Sequence, residues 1–327
     1  MGSRAFALVL LAGCGQAGYA DTAPPPLAAK SVAAPKVAVA PASCIDTGAP
    51  YDRTVFHDRI AVLASVENNG RAPGSPGDEA ARTVIREQLA CLQLAPVELP
   101  FTAQNGKATA NIYARLAGTD PAVGNEIILV AAHHDHLGAG FLGANDNASG
   151  IVAMLGVAQD IAKRGARKRT IVFAAFGDEE TGMTGSYEFA AHPPADVPLD
   201  KIVQVINLDM VGSHSSRGFV AAMGTFKGFA ATKLLAKLDD AYPKINVGLG
   251  GKARGSDFEP FCKQRIPYVF FWTPDTRCYH QNCDTPSRID EKAMVSIASL
   301  AGDLTREMAD SDMDLAALQK RLGCGVK

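Results

Sequence analysis

Four near-continuous apolar runs punctuate the chain: 126–132 (EIILVAA), 169–176 (RTIVFAAF), 201–208 (KIVQVINL) and 266–272 (IPYVFFW). None alternates apolar with polar positions, so each reads as a strand buried on both faces, the pattern of a mostly parallel sheet. Longer segments with the helical period lie between and after them, over 149–165, 184–192, 226–242 and 290–309. Ahead of the sheet, a helical pattern from Ile60 to Leu94 is broken by Gly and Pro over 68–81, where Ser75, Pro76 and the acidic pair Asp78 and Glu79 open a second helix. Two short alternating runs, 97–103 and 108–116, flank Asn105-Gly106, a strong hairpin signal. The expected architecture is α/β: a mostly parallel central sheet with helices on both faces, a three-layer sandwich.

The N-terminus departs from this pattern. Met1-Gly-Ser-Arg4 is followed by a short apolar core, the layout of a secretory signal over 1–20 and too short for a spanning helix. Leu11-Ala-Gly-Cys14 resembles a bacterial lipobox, which implies cleavage before Cys14 and a lipid anchor on its thiol; cleavage after Ala20 would instead leave a soluble exported product. Gly15 is not the aspartate that commonly retains lipoproteins at the inner membrane, so the resemblance implies the outer membrane. Met1-Gly2 is not a myristoylation signal, because Phe6 stands where that motif takes Ser or Thr. Residues 21–43, rich in Ala, Pro and Val, read as a tether, and 44–327 as a single folded domain. After Cys14 six of the seven cysteines remain, enough for three disulfides in an oxidising compartment; Cys278 and Cys283 are close enough to close a small loop. A net charge of −2 provides no basic field for nucleic acid.

Ligands of open parallel sheets bind beyond the carboxyl ends of the strands, so the polar residues there carry the chemistry. The first run ends in His133-His-Asp-His136, the second in Gly177-Asp-Glu-Glu180, the third in Asn207-Leu-Asp209, and the fourth leads to Tyr279-His280. Asp146 joins them from a helix start at 143–150. Carboxylates gathered in one cleft repel one another unless cations neutralise them, and their mixture with imidazoles suits zinc.

Five motifs in this order, AHHDHLG, GANDNASG, FGDEETGMTGS, NLDMVG and YHQNCDT, resemble the M28 family of zinc aminopeptidases; GRAPGSPG and GSDFEPF extend the likeness over about 55–310. The resemblance implies a zinc-exopeptidase-like fold, two Zn²⁺ per chain and peptide substrates with a free N-terminus. Carried over, His133 and Asp209 hold one ion, Glu180 and His280 the other, and Asp146 bridges them. Two Zn²⁺, three carboxylates and one hydroxide are together neutral, so such a cluster can be buried. The resemblance makes Glu179 the general base, Asp135 the carboxylate that orients His133, and Tyr279 a donor to the oxyanion. His134 and His136 are left to packing or to capping the following turn, and Asp178 to a helix N-terminus. Secreted glutaminyl cyclases share several of these residues but tend to carry Trp where Tyr279 stands; a metal-free binding domain on the same fold is a further alternative, although every ligand position is intact.

Overall fold

Each apolar run becomes a strand whose alternate residues enter two different cores. In the computed structural model, which describes residues 49–165 and 167–325, Ile128, Val130 and Ala132 face one core while Ile127, Leu129 and Ala131 face the other. The strands are β1 (Val97–Thr102), β2 (Ala108–Leu116), β3 (Ile127–His133), β4 (Thr170–Phe176), β5 (Ile202–Leu208), β6 (Val220–Met223), β7 (Val247–Leu249) and β8 (Tyr268–Trp272). They form one sheet in the order β1-β2-β4-β3-β5-β8-β6-β7. The four central strands β4, β3, β5 and β8 run parallel, as the unbroken hydrophobic runs require; β2 is antiparallel to both β4 and β1 on one side, and on the other β6 is antiparallel to β8 and parallel to the edge strand β7.

The helices are α1 (Arg53–Leu63), α2 (Pro76–Cys91), α3 (Gly150–Lys163), α4 (Thr184–Ala191), α5 (His214–Arg217), α6 (Ala230–Leu238), α7 (Glu259–Lys263), α8 (Glu291–Asp310) and α9 (Leu315–Leu322). Caps match the sequence signals: Asp52 accepts the amides of Thr54 and Val55 at the start of α1, and Ser75 that of Asp78 at the start of α2, where Pro76 needs no donor. The larger core packs α1, α2, α3, α6 and α8 on one face; on the other, Phe189 of α4 meets Phe176 edge to face and Phe261 of α7 packs against it at a tilt. The three layers agree with the sequence reading.

Several details differ. The helix expected over 226–242 is regular only from Ala230, because the chain before it turns through Gly228 at φ +94°. The start expected at 143–150 is a wide turn over Ala144–Ser149 in which Asp146 and Asn147 leave helical geometry, and α3 begins at Gly150. β6, β7 and the short α5 and α7 were not anticipated.

Two disulfides join described cysteines: Cys278 to Cys283, as their spacing suggested, and Cys262 to Cys324, which ties α7 to the segment after α9. The signal segment, Cys14, the tether and Cys44 lie outside the described residues.

Candidate metal centre

The sheet delivers the site residues to one rim. His133 ends β3; Glu179 and Glu180 follow β4; Asp209 follows β5; the loop after β8 carries Tyr279 and His280; and the wide turn before α3 supplies Asp146. The backbone is bent sharply to do so, with Asp178, Met210 and His280 at φ 58°, 54° and 53°, a left-handed conformation uncommon outside glycine. Gly143 is left-handed as well, and a Cβ there would meet the His136 ring at 2.6 Å.

The carboxylate of Asp146 is divided between two groups. Its Oδ1 lies 3.3 Å from Nε2 of His133, which is itself 3.4 Å from Oδ1 of Asp209. Its Oδ2 lies 3.2 Å from Nε2 of His280, which is 2.8 Å from Oε2 of Glu180. Ligand atoms about 2.1 Å from a tetrahedral zinc stand about 3.4 Å apart, so the first group already has that spacing. Nε2 of His280 makes no hydrogen bond of proper geometry despite its close carboxylates, as expected where lone pairs converge on a common point. Within the two donor groups that could hold a cation, His133-Asp146-Asp209 and His136-Asp146-Glu180, the ligand atoms all lie within 4.8 Å of one another. The residues present therefore fit a pair of ions with nitrogen and oxygen ligands.

Electrostatics agree. Burial alone would lower the His133 pKa, yet Asp209 and Glu179 raise it well above the usual range. Burial likewise opposes protonation of His280, but Asp146 and Glu180 push it up to about 10. So many buried carboxylates seek positive charge, which a bound cation supplies more effectively than a proton.

Around these residues lies a supporting layer that the sequence reading largely missed. Asp135 is fully buried; its oxygens accept the backbone amides of Glu179 and Glu180 at 3.1 and 3.3 Å, and it stands 3.6 Å from Nδ1 of His133. His136, which the sequence left to packing, places Nδ1 2.5 Å from Oε1 of Glu180. His134 points the other way, its Nε2 3.0 Å from the buried Asp78, which also accepts Thr109 Oγ1 and the Gly74 amide. Asp178 accepts the Gln104 amide. Asp284 accepts the amides of Asn145 and Asp146, and Ser256 donates to Oδ2 of Asp209. Arg71 is buried and donates to the carbonyls of Leu63, His134, Leu142 and Gly143, joining the end of α1 to the chain segments that frame the site. Arg71, Ser256 and Asp284 fall inside GRAPGSPG, GSDFEPF and YHQNCDT, so a signal for them was present.

Above the metal-ligand candidates opens a cleft of about 470 Å³, within the range usual for small-molecule sites. Glu179, Tyr279, Phe270 and Trp272 line it. Tyr279 is half exposed and its ring stacks on the His280 imidazole, centroids 3.8 Å apart. The Cys278–Cys283 disulfide closes the loop that carries both.

The profile of peptidase family M28 matches residues 111–305, more than half of the chain. The chain belongs to peptidase family M28. This M28 chain is 28% identical over 298 residues to leupeptin-inactivating enzyme 1 of Streptomyces exfoliatus, covering 84% of itself and 64% of that protein, so it spans less than two thirds of that relative's length. Its fold is that of a zinc aminopeptidase from Bacillus subtilis, with TM-score 0.71, 14% identity, and coverage of 82% of this chain and 98% of the other. Porphyromonas gingivalis glutaminyl cyclase shares the fold too, at TM-score 0.65 and 19% identity, with 79% and 99% covered.

Proposed function

We propose that the chain is a zinc-dependent aminopeptidase that removes N-terminal residues from peptides. The observation that carries this reading is Asp146, whose two oxygens are divided between two convergent donor groups beneath an open cleft. His133 and Asp209 would hold one ion and Glu180 and His280 the second, with Asp146 between them. Bound there, zinc supplies polarisation of the scissile carbonyl and lowers the pKa of water from about 15.7 toward about 7.

The chain's own groups do the rest. Glu179 takes the proton of the attacking water and passes it to the leaving amine. Burial, reinforced by the negative charges of Asp257, Asp209 and Glu180, raises its carboxyl well above the ordinary range against the pull of His133, so it holds a proton more readily than a surface glutamate. Asp135 fixes the backbone of both glutamates. Burial and the carboxylates of Asp146 and Glu180 raise the Tyr279 phenol above its usual pKa, keeping it a hydrogen-bond donor to the developing oxyanion. The acidic rim offers the substrate's free α-amine a site.

Hydrolysis of aminoacyl p-nitroanilides by the purified protein, before and after chelation and zinc re-addition, tests this. Release should require metal at about two zinc ions per chain, and Glu179→Gln should lower kcat by roughly 10²–10⁴-fold with metal content unchanged. Cyclisation of N-terminal glutamine without anilide release would replace the reading with a glutaminyl cyclase, which the shared fold permits. Export and anchoring through Cys14 are likewise proposed, on the lipobox alone; incorporation of labelled palmitate that Cys14→Ser abolishes is the expected result.

A further inference from the structure

We propose that Lys252 and Arg254 bind a carboxylate of the substrate, so that the cleft selects short peptides bearing a negative charge two or three residues from the N-terminus. The proposal rests on the aminopeptidase reading and names the substrate class of that site.

The order of strands lays out the cleft from one side to the other. Glu179, His133 and Asp209 sit at the ends of β4, β3 and β5, which are adjacent in the sheet. The next strand, β8, contributes Phe270 and Trp272, whose rings stack with centroids 6.5 Å apart. β6 follows, and its Met223 lies opposite Phe270 in the register. Last comes β7, and the loop after it carries Lys252 and Arg254 back over Met223: a Cβ on Gly250 would stand 2.3 Å from the Met223 sulfur. The cleft is thus anionic at the end of the candidate ligands and carries two cations on the loop after β7; Asp275, beyond β8, also lines it, with its carboxylate engaged by the Ser213 hydroxyl and the amides of Arg277 and Cys278.

Both cations line the cleft and are exposed, and among the described residues neither forms an ion pair. The loop that presents them is fixed. Gly224 donates its amide to Gly251, the Gly250 amide bonds Thr225, the Ala253 amide bonds the Tyr268 phenol at 2.9 Å, and the Gly255 amide bonds Glu259 at 2.6 Å. With Ala253 tied to the sheet, its two neighbours are held at the cleft.

The span suits a short peptide. From β5 to β7 are three strand intervals, about 14 Å at about 4.8 Å each. Lys and Arg side chains shorten that gap, and an extended peptide covers about 3.3–3.6 Å per residue. An amine held by the carboxylates and an anion held by Lys252 and Arg254 are therefore separated by two or three residues. The anion comes either from the C-terminus of a di- or tripeptide or from an Asp or Glu side chain of a longer one.

Competing substrates separate these sources. kcat/KM is measured for Leu-Gly-Gly against its C-terminal amide, and for Leu-Glu amide against Leu-Gln amide. Binding of the same peptides to the Glu179→Gln protein is measured by calorimetry, a readout that does not need turnover. A preference of about tenfold for the charged member of either pair is expected in both measurements. It should fall to about one in Lys252→Met/Arg254→Met and invert in Lys252→Glu/Arg254→Glu. The first pair responding identifies a free C-terminus, the second an acidic side chain. Equal handling of charged and neutral peptides by the unaltered chain, or a preference that survives charge reversal, overturns the proposal. Failure to cleave Leu-p-nitroanilide, which has no carboxylate, would count against the aminopeptidase reading instead, while the binding ratio would still decide the role of the two cations.

Discussion

His136 and His134 sit two positions apart in one short stretch and perform different work because the backbone sends them to opposite sides. His136 abuts Glu180 at 2.5 Å and so limits where that carboxylate can point. Replacing it with Ala should weaken metal binding by about 10–100-fold, the usual cost of losing a group that orients a ligand, measured by competition with a chromophoric chelator while the folded-state circular dichroism is unchanged. His134 instead pairs with Asp78, whose carboxylate burial would raise but whose bonds to His134, Gly74 and Thr109 hold below the usual value of 3.8. A depressed folded pKa contributes stability above the unfolded pKa and loses it as the pH falls through the folded one. Asp78→Asn should therefore cost about 2–3 kcal/mol at neutral pH, and the gap in melting temperature should narrow below pH 3.8. The sequence made the candidate ligands legible because each is a polar residue closing an apolar run. It could not show the partners of His134 and His136, since side-chain direction depends on where the next strand lies.

At the scale of elements, the wide turn ahead of α3 decides whether the candidate ligands meet. Asn147 accepts the amides of Gly150 and Met210 and donates to the Leu208 carbonyl, so it locks the turn carrying Asp146 to the end of β5 carrying Asp209. Asn147→Ala leaves those groups without their partner. It should cost about 1–3 kcal/mol and lower zinc occupancy, seen together as a reduced melting temperature and sub-stoichiometric metal after dialysis. The four central strands were readable because burial on both faces writes a continuous hydrophobic run. β6 and β7, four and three residues long, are too short to stand out, and the turn at 144–149 looks helical by composition although Asp146 and Asn147 are not.

At the scale of the whole molecule, a few long-range ties join distant parts of the chain. Arg169 is buried and donates to Glu126 and to the carbonyls of Met308, Ser311 and Met313, fastening the end of α8 to the start of β4. The Cys262–Cys324 bridge closes a sequence separation of 62; replacing both cysteines with Ser should lower unfolding stability by about 2–4 kcal/mol, read from denaturant midpoints with and without reductant. That pairing was not legible, because connectivity is set by the folded path rather than by spacing. The candidate ligands themselves are spread from His133 to His280 across separate strand ends. No partial chain ending ahead of the loop after β8 contains them all, so the set is complete only once His280 has been made and that loop has folded against Asp146 and Glu180.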